Sequence, residues 1–171
     1  MNKHIFVING SGGVGKDTFV NMVAKYVPTI NYSSVDKVKE VARLLGWSGG
    51  KTEKDRKFLS DLKFLTSKYN DMPYAAMADK VKTFLDDSVN EFLFLHIREP
   101  EEIERVVNDF GATTILVIRR QIEHITSNKA DDGVFDYSYD WVIENNGDLT
   151  QLNESAEKFV KEVKNGSIRK I

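Results

Sequence analysis

The 171-residue sequence contains no cysteine. Disulfide bonds and thiolate chemistry are therefore excluded, and a reducing compartment is permitted. No run of 18 apolar residues occurs, so we expect no membrane-spanning helix and no membrane partner. The sequence enters an apolar strand pattern almost at once, so we expect no signal peptide and a cytoplasmic location.

An excess of charge of one sign is also lacking. Lys and Arg number 24, Asp and Glu number 26, and the formal net charge is −2. This balance argues against non-specific binding of a polyanion, so we expect no nucleic-acid partner, although it leaves room for a local basic cleft. Hydrophobic residues make up 41% and charged residues 29%. That composition is typical of a globular chain, and we predict a single domain over residues 1–171.

What the sequence does contain is a glycine-rich stretch near its start, GSGGVGKDT at residues 10–18. An apolar run precedes it and apolar residues at helical spacing follow it, so its setting is strand, loop and helix. There the pattern G-x-x-x-x-G-K predicts a phosphate-binding loop, in which backbone N–H groups face the phosphates and Lys16 reaches the β- and γ-phosphates. A glycine turn that merely joins strand to helix is the alternative. The candidate cofactor contacts are Ser11, Gly12, Gly13, Val14, Gly15, Lys16, Asp17 and Thr18.

The position after the lysine departs from the usual pattern. It commonly holds Ser or Thr, whose hydroxyl ligates magnesium. Here it is Asp17, and the hydroxyl follows at Thr18. We therefore expect Thr18 to contact the α- or β-phosphate. Water and carboxylates would hold Mg²⁺, with Asp17 as the candidate metal ligand.

Strand and helix patterns alternate along the rest of the chain. Apolar strand patterns cover residues 4–9, 30–33, 92–97, 113–118 and 141–143. The alternation predicts a three-layer α/β fold with a mainly parallel five-stranded sheet, of the phosphate-loop NTPase type. A helical region at 34–90 is predicted as an insertion between the second and third strands. The polar stretch 119–139 is predicted as a long loop or short lid.

Helix signals within the insertion are specific enough to test. Ser33 or Ser34 is the expected cap of its first helix, and Thr52 with Asp55 forms a plausible capping box for the next. Apolar residues at helical spacing are expected to face inward. They are Phe58, Leu62, Leu65 and Tyr69 in one helix and Met77, Val81, Phe84 and Leu85 in the other.

Polar residues follow each strand, where ligands of such sheets collect. Guanidinium groups suit bidentate phosphate binding and stabilise charge on a transferring phosphoryl group. Arg98, Arg119 and Arg120 are therefore, with Lys16, the candidate catalytic residues, although Arg98 could instead pair with Glu101 or Glu102. The other candidates for ligand binding near strand ends are Ser34, Asp36, Lys39, Asn145, Asn146 and Gly147.

The C-terminal stretch DWVIENNGDL at residues 140–149 resembles the D-x-V-I-x-N-x-G-x-L ending of nucleoside monophosphate kinases. The Gly-Lys-Asp-Thr loop, the segment 34–40 and the unit 97–119 resemble the phage-type deoxynucleotide monophosphate kinases. This resemblance implies that the γ-phosphoryl group of ATP passes, with Mg²⁺, to a (deoxy)nucleoside monophosphate.

The resemblance also implies roles for particular residues. The loop 145–147 would pack beside adenine, the helix that begins near Ser34 would border the acceptor, and Arg119 and Arg120 would start the lid. Arg56 falls where a monophosphate-binding arginine would come and joins Arg98 as a substrate candidate; by itself it would be taken as a solvated charge. His96 stands where such kinases often carry an aspartate near magnesium. A monomer or homodimer is expected.

Three other functions are open at this stage. Residues 128–131, NKAD, match the guanine motif of GTPases, but they lie ten residues beyond the preceding strand and lack a partner D-x-x-G. A phosphate-loop kinase of another small phosphorylated acceptor, such as a phosphomevalonate-type enzyme, is the first alternative, because fold does not determine the acceptor. A non-catalytic nucleotide-binding module is the second.

Overall fold

Five strands are formed by the apolar runs that the sequence places between polar loops. The computed structural model describes residues 2–120 and 133–166. The strands are β1 (His4–Asn9), β2 (Thr29–Ser33), β3 (Phe92–His96), β4 (Thr113–Ile118) and β5 (Trp141–Glu144). They lie in the order β2-β3-β1-β4-β5, and β1 pairs in parallel with β3 and β4, as does β4 with β5.

Six α-helices lie within the described residues, five of them between strands and the sixth after β5. They are α1 (Lys16–Val23), α2 (Asp36–Leu44), α3 (Glu53–Asn70), α4 (Met72–Asp86), α5 (Pro100–Phe110) and α6 (Leu149–Lys164). A 3-10 helix (Val134–Asp136) precedes β5. No helix in residues 2–120 and 133–166 is long and apolar enough to cross a membrane. Helices and strands alternate as predicted, and the predicted α/β fold with a parallel five-stranded sheet is confirmed.

The core lies on both faces of the sheet, which explains why its central strands are apolar throughout. On one face, α1 and α6 pack against each other and against a group of aromatic rings. Phe159 of α6 lies at its centre, with ring centroids 5.1 Å from Phe6, 5.6 Å from Phe19 and 5.7 Å from Trp141. On the other face, α5 contacts β1 and β4 and buries Ile103 and Val106. The result is three layers.

The chain divides into two compact units. The sheet unit comprises Met1–Asn31 and Asp87–Ile171, and the helical unit comprises Tyr32–Asp86. Helices α2, α3 and α4 thus come from the stretch between β2 and β3, where an insertion was predicted. That residues 1–171 act as one kinase domain stays a prediction.

Two details of the helical unit differ from the sequence expectations. Val35, and neither serine, caps α2, because the Ser33 hydroxyl accepts a 3.5 Å hydrogen bond from the Val35 N–H in the turn before the helix. Leu65, Tyr69 and Leu85 are exposed, whereas Leu62 is buried. The buried cluster of this unit uses the first half of α3 together with α2, so the second half of the helical stripe lies outside it. The capping box of Thr52 and Asp55 is confirmed.

Candidate active site

The loop between β1 and α1 adopts a conformation that depends on its glycines. Gly10, Gly13 and Gly15 have positive φ angles of 144°, 81° and 98°. A side chain at Gly10 would collide with the Val117 carbonyl oxygen, and one at Gly15 would collide with the Asn145 amide. Glycine is thus required both by conformation and by close approach. The loop ends at the N-terminus of α1, where helical N–H groups and the helix dipole favour an anion.

Lys16 is the first residue of α1, and its side chain lies back along the loop. Its ammonium group donates hydrogen bonds to the carbonyl oxygens of Gly10, at 2.5 Å, and Ser11, at 3.0 Å. The charge is therefore held beside the backbone that would surround a phosphate group. Together with the positive end of α1, it gives this loop the electrostatics of an anion site.

Asn145, at the end of β5, supports the phosphate loop from the side. Its buried side-chain amide donates a 2.8 Å hydrogen bond to the Val14 carbonyl oxygen, and its backbone N–H donates to the Ile118 carbonyl oxygen at 2.8 Å. Asn146 and Gly147, by contrast, line a surface depression with Gln151 and Ser155. In this structure Asn145 contacts the loop itself, whereas the Asn146 side chain accepts from the Arg120 N–H at 2.9 Å and donates to the Glu144 carboxylate at 3.1 Å.

The three candidate arginines differ in their surroundings. Arg98 is exposed, two residues beyond the end of β3. Arg119 follows β4 directly, and its Nε is buried without a hydrogen-bond partner. Arg120 is exposed, with a guanidinium nitrogen 3.4 Å from a Glu144 carboxylate oxygen. Because β3 and β4 flank β1 and run parallel to it, Arg98 and Arg119 leave the sheet at the same edge as the phosphate loop.

Asn9 and Tyr139 belong to this site, and the sequence analysis missed both. Asn9 is fully buried; its side-chain oxygen accepts from the Gly10 N–H at 2.8 Å, and its amide donates to the Tyr139 hydroxyl at 2.8 Å. That hydroxyl donates to the Val134 carbonyl oxygen at 2.8 Å, and burial raises the pKa of Tyr139, so the phenol keeps its proton. A polar Asn ending a fully apolar strand was the available signal.

Asp17 lies beside two polar residues, His96 at the end of β3 and Asn31 in the middle of β2. Its carboxylate oxygen is 3.3 Å from the Asn31 amide nitrogen and 3.6 Å from His96 Nε2, and His96 Nε2 is 2.6 Å from the Asn31 amide oxygen. The carboxylate itself is 81% exposed. An exposed carboxylate is an oxygen ligand that suits Mg²⁺, whereas the Asn31 atom nearest to it is a nitrogen that donates a hydrogen bond. No group of three or more His, Cys, Asp or Glu suited to a metal occurs among residues 2–120 and 133–166.

The remaining substrate candidates lie in the helical unit. The Asp36 carboxylate accepts a 2.8 Å hydrogen bond from the Ser33 N–H and lies 3.4 Å from the Lys39 ammonium group. Ser34 is buried, and its hydroxyl is 3.5 Å from the Lys63 ammonium group. The first turn of α2 thus brings Asp36 and Lys39 together, whereas Ser34 contacts Lys63 of α3, and Arg56 is exposed in the first turn of α3. Most of the predicted lid, residues 121–132 with the NKAD motif, lies outside the described residues.

Several solved structures share this fold. The dephospho-CoA kinase from Campylobacter jejuni is 16% identical with a TM-score of 0.56, covering 98% of this chain and 100% of that one. The tunicamycin resistance protein from Deinococcus radiodurans is 14% identical with a TM-score of 0.57, covering 93% and 96%. TT1252 from Thermus thermophilus is 18% identical with a TM-score of 0.51, covering 95% and 98%.

No protein-family model matches the chain, and no curated protein matches it. At such low identities the likenesses show the fold and nothing finer. The chain shares its three-layer α/β fold with these structures, and in the case of the dephospho-CoA kinase the likeness covers 98% of the chain.

Proposed function

We propose that the protein is an ATP-dependent kinase that transfers the γ-phosphoryl group to a (deoxy)nucleoside monophosphate. The observation that carries the proposal is the alignment of three neighbouring strands. The central strand β1 leads into the phosphate loop and Lys16, while β3 and β4 on either side lead to Arg98 and Arg119. Three cations at one sheet edge suit a reaction in which charge accumulates on a transferring phosphoryl group.

In the proposed reaction, an acceptor phosphate oxygen attacks the γ-phosphorus and the bond to the β–γ bridging oxygen breaks, which releases ADP. Backbone N–H groups of residues 11–18 and Lys16 would hold the β- and γ-phosphates of ATP. Arg119, and Arg120 on release of Glu144, would neutralise charge on the transferring group. A divalent ion, with Mg²⁺ as the expected ion and Asp17 as its candidate ligand, would neutralise phosphate oxygens.

The acceptor class follows from the sequence motifs and from Arg98. Arg98 is exposed and follows a rigid buried strand, as suits a group that holds a doubly charged monophosphate in line. Ser34, Asp36, Lys39 and Arg56 are the proposed further acceptor contacts. The proposed adenine site is the depression that Asn146 and Gly147 line. The proposed setting is the cytoplasm, where nucleoside monophosphates and ATP both occur.

A kinase of a different phosphorylated acceptor is the second candidate. The likeness to a dephospho-CoA kinase supports it, since that name specifies an acceptor other than a nucleoside monophosphate. Both candidates use the same phosphate loop and differ only in what Arg98 and the helical unit would bind.

A screen of acceptors with ATP labelled at the γ-phosphate tests the proposal. We expect transfer to at least one ribo- or deoxyribonucleoside monophosphate. The Lys16→Ala variant should lose this transfer while staying folded, whereas Lys25→Ala, which removes an exposed lysine beyond the end of α1, should keep it. Transfer only to other phosphorylated compounds would favour the second candidate. Nucleotide binding without transfer to any acceptor would leave a binding module.

A further inference from the structure

A buried asparagine lies between two cationic residues of the candidate site. Asn9 ends β1 and is fully buried, and its backbone pairs with that of Leu116 in β4. Its side-chain oxygen accepts from the Gly10 N–H at 2.8 Å, and its side-chain nitrogen donates to the Arg98 carbonyl oxygen at 3.3 Å. One planar amide group therefore joins the first residue of the phosphate loop to the main chain of Arg98. All of these residues belong to the sheet unit.

The hydrogen bonds continue from Gly10 to the lysine of the phosphate loop. The Gly10 carbonyl oxygen accepts from the Lys16 ammonium group at 2.5 Å. Lys16, Gly10, Asn9 and Arg98 are thus connected in series, although the first and the last are far apart in the sequence. Arg98 lies two residues beyond His96, the last residue of β3 that pairs with β1. The Asn9 contact therefore constrains a stretch of main chain that lies outside this strand pairing.

The surroundings of Asn9 determine the orientation of its amide. Its nitrogen also donates to the Tyr139 hydroxyl at 2.8 Å, and that hydroxyl donates in turn to the Val134 carbonyl oxygen. A flipped amide would place its N–H groups against the Gly10 N–H and its oxygen against the Arg98 carbonyl oxygen, and both contacts would be repulsive. The amide is therefore preorganised in the orientation that links Gly10 to Arg98.

We propose that Asn9 is a positioning residue that sets the distance between the phosphate loop and Arg98. The proposal rests on the proposed function, in which Lys16 holds the phosphates of ATP and Arg98 holds the acceptor. In-line transfer needs the reacting atoms about 3–3.5 Å apart, and a displacement of about 1 Å can lower the rate about 100-fold. Because the link reaches the main chain of Arg98, it places the origin of the whole side chain and leaves the guanidinium group to bind the acceptor.

A purely structural role is the competing explanation, because buried polar side chains need hydrogen-bond partners wherever they lie. Thr114 is a matched case. It is buried in β4, and its hydroxyl donates to the Asp140 carboxylate and accepts from the Asp140 N–H, both at 2.9 Å. This pair also joins the sheet to the segment before β5, but its side-chain bonds go to Asp140 and not to the phosphate loop or Arg98. Thr114→Val and Asn9→Leu thus both remove buried hydrogen bonds, and only Asn9→Leu removes the link.

Backbone order parameters of the nucleotide-free protein, from ¹⁵N relaxation, test the link without ATP or acceptor. We expect values of about 0.85 at Gly10 and Arg98 in the unmodified protein and in Thr114→Val. Asn9→Leu should lower both values towards about 0.6. Asn9→Ser, whose hydroxyl is too short to reach the Arg98 carbonyl oxygen, should do the same and serves if Asn9→Leu does not fold. An unchanged order parameter at Arg98 in a folded Asn9 variant overturns the proposal.

A double-mutant cycle tests whether Asn9 acts through Arg98. The kcat/KM for the acceptor is measured at saturating ATP, with the compound that the labelled-ATP screen shows to be phosphorylated. Asn9→Leu should lower it about 100-fold in the unmodified background and less than about threefold in the Arg98→Lys background, which already lacks the group that Asn9 places. Thr114→Val should have the same small effect in both backgrounds.

The outcomes of this cycle separate the positioning role from the proposed function. Equal losses from Asn9→Leu in the two backgrounds overturn the positioning role, because independent structural effects add. Transfer to a phosphorylated compound other than a nucleoside monophosphate changes the acceptor and leaves the cycle valid. If no acceptor is phosphorylated, the proposed function fails, while the order parameters at Arg98 still decide the role of Asn9.

Discussion

Arg98 is the single residue whose proposed role depends most on the shape of its head group. A forked guanidinium can hold two phosphate oxygens at once, whereas a lysine offers one point charge. We therefore expect Arg98→Lys to lose activity although the charge is kept. The expected cost in transition-state stabilisation is about 2–4 kcal/mol, seen as a fall in kcat/KM for the acceptor. ATP binding alone should barely change.

The matched control for this substitution is Arg105→Lys, on the exposed side of α5. Arg105→Lys makes the same chemical change away from the edge of the sheet where the phosphate loop lies. The kcat/KM of this variant should stay near that of the unmodified protein. If Arg98→Lys behaves like this control, Arg98 is an exposed charge in a surface ion pair, and such pairs tolerate lysine.

At the scale of elements, Asn9 and Tyr139 join three segments that the chain keeps far apart. Through them the end of β1 is hydrogen-bonded to the start of the phosphate loop, to the Arg98 carbonyl oxygen at 3.3 Å and to the segment before β5. The Tyr139 hydroxyl both accepts from Asn9 and donates to Val134. Removing it leaves the buried Asn9 amide with one partner fewer.

We therefore expect Tyr139→Phe to lower the free energy of unfolding by about 1–3 kcal/mol, since a buried donor loses an acceptor. ATP affinity should fall as well, because Asn9 orients Gly10. Urea unfolding and ATP titration measure the two effects. Tyr137→Phe is the control, because its ring packs against Tyr139 at 5.2 Å between centroids. Equal stability and ATP affinity of Tyr139→Phe and Tyr137→Phe would show that the hydroxyl does not matter.

How much of the fold and of the candidate site could be predicted depends on how far apart in the sequence the interacting residues lie. Strands, the phosphate loop and the capping box of Thr52 are recognisable because their signals lie within a few residues. The contact of Asn9 with Tyr139 spans 130 positions, and that of Asp17 with His96 depends on sheet register. The exposure of Leu65 depends on which half of α3 packs against α2. None of these long-range facts is encoded in a local pattern.

At the scale of the whole molecule, the pH dependence of folding offers a test of where the core ends. His4 begins β1 with its ring edge-on to Phe92, at 5.3 Å between centroids, beside the aromatic core. Burial is the main cause that lowers the pKa of His4 below its usual 6.5; nearby Glu91 opposes this and Lys164 adds to it. The folded protein therefore binds a proton at His4 less readily than the unfolded chain does.

With the folded pKa below the unfolded value, the contribution of neutral His4 to stability is fully present above pH 6.5 and is lost as the pH falls through that value towards the folded pKa. His4→Phe should therefore reduce the fall in Tm between pH 7 and pH 5. The change in the slope of the free energy of unfolding with pH should stay well below ~1.4 kcal/mol per pH unit, the value for one full proton, because the ring is only half-buried. Thermal unfolding in chelator-containing buffers measures it, and the same difference should appear when His4→Phe is made in a His96→Asn background. An unchanged pH profile would mean that His4 stays hydrated and that the core ends at Phe6.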